Sequence, residues 1–520
     1  MSPKPTTSSE SPAEPGKREV AGLAAIMTVI AMGLGYSITS GDPTILSANI
    51  SKVRHGLGFD PSSASFLASL ATLTLAAAVL GAGALGDLYG LKRMYMSGLI
   101  GAICFGVLAA ASPNVVVLMV ARAGSGVSFA FMLGLSLAVI NAVFPPGRRA
   151  GAISLYLAAG YGALVVQPLI GSELAQHFGW RTCFLVAPTL SLIALVLTWK
   201  FVPETARSTR RLDVVGLTFV AVALLGVIYG ISRMQTGIRA ASVVPLLGGL
   251  VAAACFVWWE LRTDDPALDM RIFRSARFNG AVAAGATFNY LEGGATILFA
   301  YYLVTVRGQS PAVLGALIIP ATLLAAAAAT GAGRVMPRLG ERTVLVSGLV
   351  ILLVGMLMFS VLDLHTPIVV LGIAVALNAV GSAVVQTPQA TIMMSTAPAG
   401  LGGAVASVKS AVGQASYSLG PAMFALVGFS LFYHDGAKKL VGTGISNEQA
   451  REALRVAQGA GGPASGSVLS PMQAQWVVSE AKQSMIDAIH SLGLIMAAVP
   501  ALAIVLAMVL LRQKGRTATV

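Results

Sequence analysis

The sequence predicts an all-α polytopic membrane protein, on the evidence of its composition, the length of its apolar blocks and the placement of its charges. Of 520 residues, 56% are hydrophobic and 11% are charged, whereas soluble domains carry about 25% charged residues. Apolar blocks such as 214–231 and 343–361 match the roughly 20 helical residues that cross a ~30 Å hydrocarbon core. Lysine and arginine collect in alternate loops, so the net charge of +13 reflects membrane orientation and predicts no nucleic-acid partner.

The apolar blocks divide into about fourteen predicted spans. They are expected near residues 20–48, 62–85, 95–112, 114–143, 150–174, 180–202, 213–232, 239–259, 279–304, 311–332, 343–361, 367–392, 402–432 and 489–511. Basic pairs such as Lys92 with Arg93 mark the loops on one side, while short loops such as 111–113 on the other side carry almost none. Positive charge marks the cytoplasmic side, and an even number of spans puts both termini there.

Two distant segments of the chain form an internal repeat. Segment 83–93 reads GALGDLYGLKR and is followed by Ser97-Gly98; 250 positions later, segment 333–342 reads GRVMPRLGER and is followed by Ser347-Gly348. Each segment lies at the cytoplasmic exit of an apolar block. Repeated halves of this kind are typical of secondary transporters.

The repeat predicts the domain organisation. The expected units are a disordered cytoplasmic tail at 1–19, an N-terminal six-helix half at 20–205, a two-helix insert at 206–265 and a C-terminal six-helix half at 266–520. Residues 433–488 of the last unit form a long outer loop with two helix-like stretches, the second starting at Ser470-Pro471. We expect a helical hairpin outside the bilayer there; a flexible loop is the alternative.

Several short motifs resemble a known transporter family. Segment 83–93 resembles the loop between helices 2 and 3 of the major facilitator superfamily. Asp42-Pro-Thr-Ile resembles the helix 1 element of the fourteen-helix drug:proton antiporters, and 122–126 (RAGSG) resembles their helix 4 motif. Segment 167–171 (QPLIG) resembles their helix 5 antiporter signature, with Gln167 where glycine is usual. The resemblance implies a major-facilitator fold driven by a proton gradient, without a bound cofactor.

The resemblance also implies a set of gating residues. These are Asp87, Gly90, Lys92 and Arg93 in the loop motif, together with Pro168 and Gly171 in the antiporter signature. A carboxylate at a cytoplasmic helix end, facing another helix terminus, makes a contact that a rocking motion can break. The chain departs from the family pattern at Leu88 and Leu91, where basic residues are usual. The alternative is that Lys92 and Arg93 only set topology.

Four ionisable residues stand out inside predicted spans, where a charge is costly and therefore suggests function. One of them, Lys409, lies near the inner end of its span and is expected to snorkel to the cytoplasmic surface, so it is not a site candidate. Asp42 and Arg122 are each ~12 Å from the outer end of their helix, so they could pair and couple a proton to opening. Glu292 lies mid-span and could bind a cationic substrate or take a second proton. The alternatives are a first helix that ends near Ser40, a structural Arg122 and a functionless Glu292.

Aromatic and amide residues near these charges predict an apolar substrate cavity with a few polar groups. The candidates are Tyr36, Tyr161, Gln167, Phe288, Asn289, Tyr290, Asn378 and Gln386. For each residue taken alone, helix packing is the competing interpretation.

These features predict a transporter of the cell membrane. The expected function is proton-coupled export of hydrophobic or cationic small molecules by a monomer surrounded by lipid. Export of an endogenous lipid, siderophore or metabolite is the alternative on the same fold, and a receptor or scaffold using the outer hairpin is the non-transport alternative. Neither G-x-S-x-G nor H-E-x-x-H occurs, so we expect no enzymatic activity and no metal site.

Overall fold

A computed structural model describes most of the chain, and almost all of the described part is helical. The described residues are 22–58, 61–205, 207, 212–234, 239–263, 266, 268, 270–309, 311–397, 402–441 and 471–511. The α-helices are α1 (Leu23–Leu57), α2 (Pro61–Tyr89), α3 (Leu91–Ala110), α4 (Val115–Val143), α5 (Pro146–His177), α6 (Val186–Phe201), α7 (Val214–Met234), α8 (Ala240–Glu260), α9 (Ala276–Tyr301), α10 (Pro311–Leu339), α11 (Glu341–Met358), α12 (Ile368–Ser395), α13 (Gly402–Val441) and α14 (Pro471–Leu510). The predicted all-α fold is confirmed.

Most predicted spans coincide with these helices. Not every helix, however, is apolar enough over its described residues to count as a membrane span. Twelve helical segments of the described part are long and apolar enough to cross a membrane. Helices α9 and α13 are outside this set, and both carry polar residues within the predicted span, such as Glu292 in α9 and Lys409 in α13. That fourteen helices cross the bilayer, with cytoplasmic termini, therefore stays a prediction.

Helix α1 is longer than predicted and continues past its internal Pro43 as far as Leu57. Neighbouring elements hold the polar extension in place: Asn49 donates to the Ser172 hydroxyl at 3.5 Å, and Gly56 lies directly against the Trp180 indole. The alternative in which the first helix ends near Ser40 is wrong. Asp42 lies inside the helix rather than at its end.

The internal repeat is reproduced in the backbone. Gly90 separates α2 from α3 with φ +103°, and Gly340 separates α10 from α11 with φ +81°. Both values lie in the left-handed region that favours glycine. About two turns further on, Gly98 packs against the backbone of α4 and Gly348 against the backbone of α12. Equivalent residues thus make equivalent turns and helix contacts.

Each repeated segment begins on a helix that packs against a helix far away in sequence. Helix α2 packs against α13, and α10 packs against α5. Gly83 lies against Gly403 and Ser407 of α13, and Gly333 lies against the Ser154 side chain of α5. Small residues permit such close approach in membrane proteins. Helices α7 and α8 pack on each other, and α7 also contacts α2 and α13. The division into two halves and an insert remains a prediction.

The predicted outer hairpin is partly described. Helix α13 continues to Val441, and α14 begins at Pro471, as predicted from Ser470-Pro471. Each helix has 40 residues, or ~60 Å, and Lys439 joins them through Glu480 at 3.3 Å and Asp487 at 2.9 Å. The second helix-like stretch is therefore continuous with the last span, not a separate helix. The first stretch and the tail at 1–19 lie outside the described residues.

Candidate transport site

A buried ion pair connects α1 to α4. Nη1 of Arg122 donates to Oδ2 of Asp42, and the two residues are only 1% and 6% exposed. The other two guanidinium nitrogens, Nε and Nη2, are buried without a hydrogen-bond partner among the described residues. Because a buried charge left without a partner is strongly unfavourable, Asp42 and Arg122 depend on each other. The structure brings together the two residues that the sequence predicted to pair.

The helix 5 signature packs directly on the helix that carries Asp42. The Gln167 side chain lies against Gly41, and Gly171 lies against Ile45 of α1. Gln167 is 2% exposed and its Oε1 has no partner within the described structure. Pro168 lies inside α5, between these two contacts in sequence. The α1 turn that carries Asp42 is therefore packed against Gln167 and Gly171 of α5.

Glu292 belongs to a second cluster, which lies between α1, α5, α9 and α12. The Tyr36 ring is edge-on to Tyr161 with centroids 6.1 Å apart, and its hydroxyl lies beside Gln386 and within electrostatic range of Glu292. Glu292 is half-buried and forms no ion pair within the described residues. Tyr36, Tyr161, Gln386 and Glu292 are thus brought together, as predicted.

Two members of this cluster were not predicted from the sequence. The Tyr156 ring is 5.6 Å from that of Tyr36, and its hydroxyl is 2.9 Å from the Ser136 hydroxyl. Tyr417 of α13 also lies within electrostatic range of Glu292. Tyrosines inside membrane spans are a usable signal, because a buried hydroxyl needs a polar neighbour.

The other cavity candidates are dispersed. Tyr290 faces away from Tyr36, because its hydroxyl contacts Met496 Sδ at 3.2 Å and its ring packs on Phe424 at 5.6 Å. Phe288 is fully buried in the hydrophobic core. Asn289 is half-buried, donates to the Gly285 carbonyl at 2.8 Å and lies beside Gly413.

Asp87 contacts the start of α13. Its Oδ1 accepts from the backbone N–H of Gly403 at 2.7 Å, and its Oδ2 accepts from that of Ala404 at 2.8 Å. The first N–H groups of a helix have no partner inside the helix and carry partial positive charge, so a carboxylate stabilises them. Gly403 is required there, since a side chain would collide with the carboxylate.

Lys92 and Arg93 contact a different element. Lys92 Nζ donates to the Trp199 carbonyl at 3.0 Å, and Arg93 forms an exposed ion pair with Glu204 at 3.5 Å. The N–H of Leu91 donates to the Thr205 hydroxyl at 2.8 Å. These contacts tie α3 to the end of α6. Within the loop motif, Asp87 therefore contacts α13, whereas Lys92 and Arg93 contact the end of α6.

Comparison with known proteins identifies the family. The chain matches the Major Facilitator Superfamily over residues 28–421 and belongs to it. Multidrug resistance protein Stp of Mycobacterium tuberculosis is 29% identical over 394 residues, which cover 74% of this chain and 72% of that relative. Multidrug efflux pump LfrA of Mycolicibacterium smegmatis is 28% identical over 77% of this chain and 80% of LfrA. Methyl viologen resistance protein SmvA of Salmonella typhimurium is 27% identical over 77% of this chain and 82% of SmvA.

Solved structures give the same fold. The human organic anion transporter MFSD10 aligns with a TM-score of 0.57 at 14% identity, covering 92% of this chain and 98% of its own. The proton:xylose symporter XylE aligns with a TM-score of 0.55 at 13% identity, covering 91% and 94%. The family match, the multidrug resistance and efflux relatives and the twelve candidate spans of the described part make the chain a multi-pass transporter of the plasma membrane.

Proposed function

We propose that the protein exports hydrophobic or cationic small molecules in exchange for protons. The observation that carries this proposal is the buried Asp42–Arg122 pair, because a transporter gains a switch from it and a passive scaffold gains nothing. The relatives of the chain, which include multidrug resistance and efflux proteins, support the substrate class.

Proton exchange at Asp42 supplies the coupling. While ionised, Asp42 is held by Arg122 and α1 stays bound to α4. A proton that reaches the carboxylate removes its charge and weakens this contact, so that α1 can move relative to α4. Release of the proton on the other side restores the pair. The energy comes from the proton gradient.

The second cluster supplies substrate binding. Glu292 offers a negative charge without an ionic partner in the described structure, and Tyr36 and Tyr161, whose rings pack edge-on, lie within electrostatic range of it. A cation gains from both the carboxylate and the faces of aromatic rings. A neutral hydrophobic substrate gains from the rings alone. This arrangement suits export of varied, lipophilic cations.

Cellular accumulation tests the proposed function. Cells that produce the protein should accumulate less of a lipophilic cationic dye than cells without it, and a proton uncoupler should remove the difference. Equal accumulation in both strains would contradict drug export and would favour the alternative of an endogenous lipid, siderophore or metabolite. Low accumulation that survives the uncoupler would contradict proton coupling.

We also propose that Asp87 latches the predicted cytoplasmic gate. Asp87→Asn should slow transport several-fold and leave substrate affinity nearly unchanged, because Asp87 is at the gate and not in the cavity. An asparagine amide would direct a donor at one of the two α13 N–H donors and would lose the charge that stabilises the helix terminus.

Glu204→Gln is the matched control for Asp87→Asn. It removes a carboxylate beside the same loop, but Glu204 contacts Arg93 and does not reach α13. Transport rates in proteoliposomes and binding constants of the purified variants should be measured together. If Asp87→Asn lost affinity at an unchanged rate of transport, the gate assignment would be wrong.

A further inference from the structure

A polar stripe runs along one face of α12. It consists of Asn378, Ser382, Gln386 and Gln389, spaced four, four and three residues apart. That spacing places the four side chains on one side of a helix. All are buried, with exposed fractions of 6%, 1%, 4% and 2%. We call these four residues the α12 stripe.

Every member of the α12 stripe has a side-chain oxygen without a hydrogen-bond partner among the described residues. These atoms are Asn378 Oδ1, Ser382 Oγ, Gln386 Oε1 and Gln389 Oε1. Gln389 is the extreme case, since the sole hydrogen-bond partner of its amide nitrogen among the described residues is the Met393 sulfur, at 3.5 Å. Buried polar atoms in native proteins are satisfied by protein groups or by ordered water. Four such atoms in a row on one helix indicate a site for water.

The α12 stripe meets the predicted substrate site at its third member. Gln386 lies beside the Tyr36 hydroxyl, which is itself within electrostatic range of Glu292. Helix α9 makes room for the next member, because Gly285 lies directly against the Gln389 amide and any larger residue would collide with it. The space between α9 and α12 is therefore shaped around a polar side chain that no described residue satisfies.

The stripe points towards a cavity at the other end of α12. One turn beyond Gln389, Ile392 lines a cavity of about 330 Å³ between the first turn of α5 and the junction of α10 with α11. Gly147, Gly340 and Glu341 also line it. These are the ends predicted to be cytoplasmic. The polar groups thus extend from the level of Glu292 to within one helical turn of a cavity on that side.

We propose that the α12 stripe holds a file of ordered water that carries protons between Glu292 and this cavity. The relay rests on the proposed proton coupling, whereas the water site does not. Glu292 holds a proton while no cation is bound and gives it to the first water when a cationic substrate arrives. Each water passes one proton to the next, and the last releases one proton into the cavity. The stripe side chains orient the waters and are unchanged at the end.

Radiolytic footprinting of the purified full-length protein tests the water site. X-rays convert bound water into hydroxyl radicals, which oxidise adjacent methionine. Met393 is fully buried but lies beside Gln389, whereas Met356 is equally buried within the apolar core. Met393 should be oxidised several-fold faster than Met356, and Gln389→Leu should remove the difference. Equal oxidation of Met393 and Met356 in the wild type would overturn the water site.

Transport kinetics test the relay with a milder variant, in case Gln389→Leu fails to fold. Ser382→Ala should slow proton-coupled transport several-fold while substrate affinity holds. Ser191→Ala is its matched control, because the buried Ser191 hydroxyl on α6 also has no partner within the described part of the chain and lies away from the stripe. If Ser382→Ala and Gln389→Leu both transported substrate and protons at the wild-type rate, the relay would be overturned but the water site would not. If the wild-type protein moved no protons, the proposed function would be overturned instead. The oxidation rate of Met393 would still decide whether the stripe holds water.

Discussion

Asp42→Asn should abolish proton-driven export while binding of a neutral substrate survives within several-fold. Asparagine has the shape of a protonated aspartate and cannot release a proton, so the variant is held in one protonation state. Substrate binding should persist because the cluster around Glu292 lies elsewhere. Export should be measured as dye efflux under an imposed proton gradient, and binding by fluorescence titration of the purified protein.

Two further variants control this experiment. Arg122→Ala leaves the Asp42 carboxylate without its ionic partner and should also lose coupling, whereas Arg122→Lys should retain part of it because a cation remains. Asp213→Asn is the matched control, since Asp213 is also buried but accepts from Trp259 and the Gly216 N–H in the α7–α8 pair. If Asp42→Asn exported at the normal rate, α1 would not be the coupling helix and Glu292 would be the next carboxylate to test.

Glu292→Gln should weaken cationic substrates by about tenfold, equal to about 1.4 kcal/mol, and leave a neutral substrate of similar shape unaffected. The change removes an attractive charge that has no ionic partner within the described residues. It leaves the polar character and length of the side chain in place. Binding constants for one permanent cation and one neutral analogue, measured side by side, give the selectivity directly.

Tyr290→Phe is the matched control for Glu292→Gln. Tyr290 is on the same helix, but its hydroxyl contacts Met496 on another side. Its loss should leave the preference for cations unchanged. An equal loss of affinity for the cation and the neutral analogue in Glu292→Gln would indicate that the carboxylate shapes the cavity rather than attracting charge. An unchanged affinity for both would remove Glu292 from the site.

The helical fold could be predicted closely because length and hydropathy determine where a span can be. The failures occur where polar residues continue a helix. Beyond residue 48, Lys52 and Arg54 indicate the end of a span, yet α1 continues because Ser172 and Trp180 support it. Local hydropathy contains no information about such neighbours.

The site was only partly predictable for a related reason. A buried charge inside an apolar block is conspicuous, so Asp42, Arg122 and Glu292 could be selected from the sequence alone. The direction in which a side chain points depends on the rotation of its helix, which the sequence of α9 does not reveal. Glu292 and Tyr290 are therefore only two residues apart in sequence but face different neighbours. Tyr156 was missed because its polar partner, Ser136, comes from another helix. Gln389 was missed because its burial depends on how Gly285 of α9 packs against it.

Proton movement driven by a substrate gradient is the most direct test of the central claim. The wild-type protein in proteoliposomes with an internal pH dye should move protons against the direction of substrate flow, and Asp42→Asn should move none. Substrate flow without proton movement in the wild type, or proton movement in Asp42→Asn equal to that of the wild type, would contradict coupling through the Asp42–Arg122 pair.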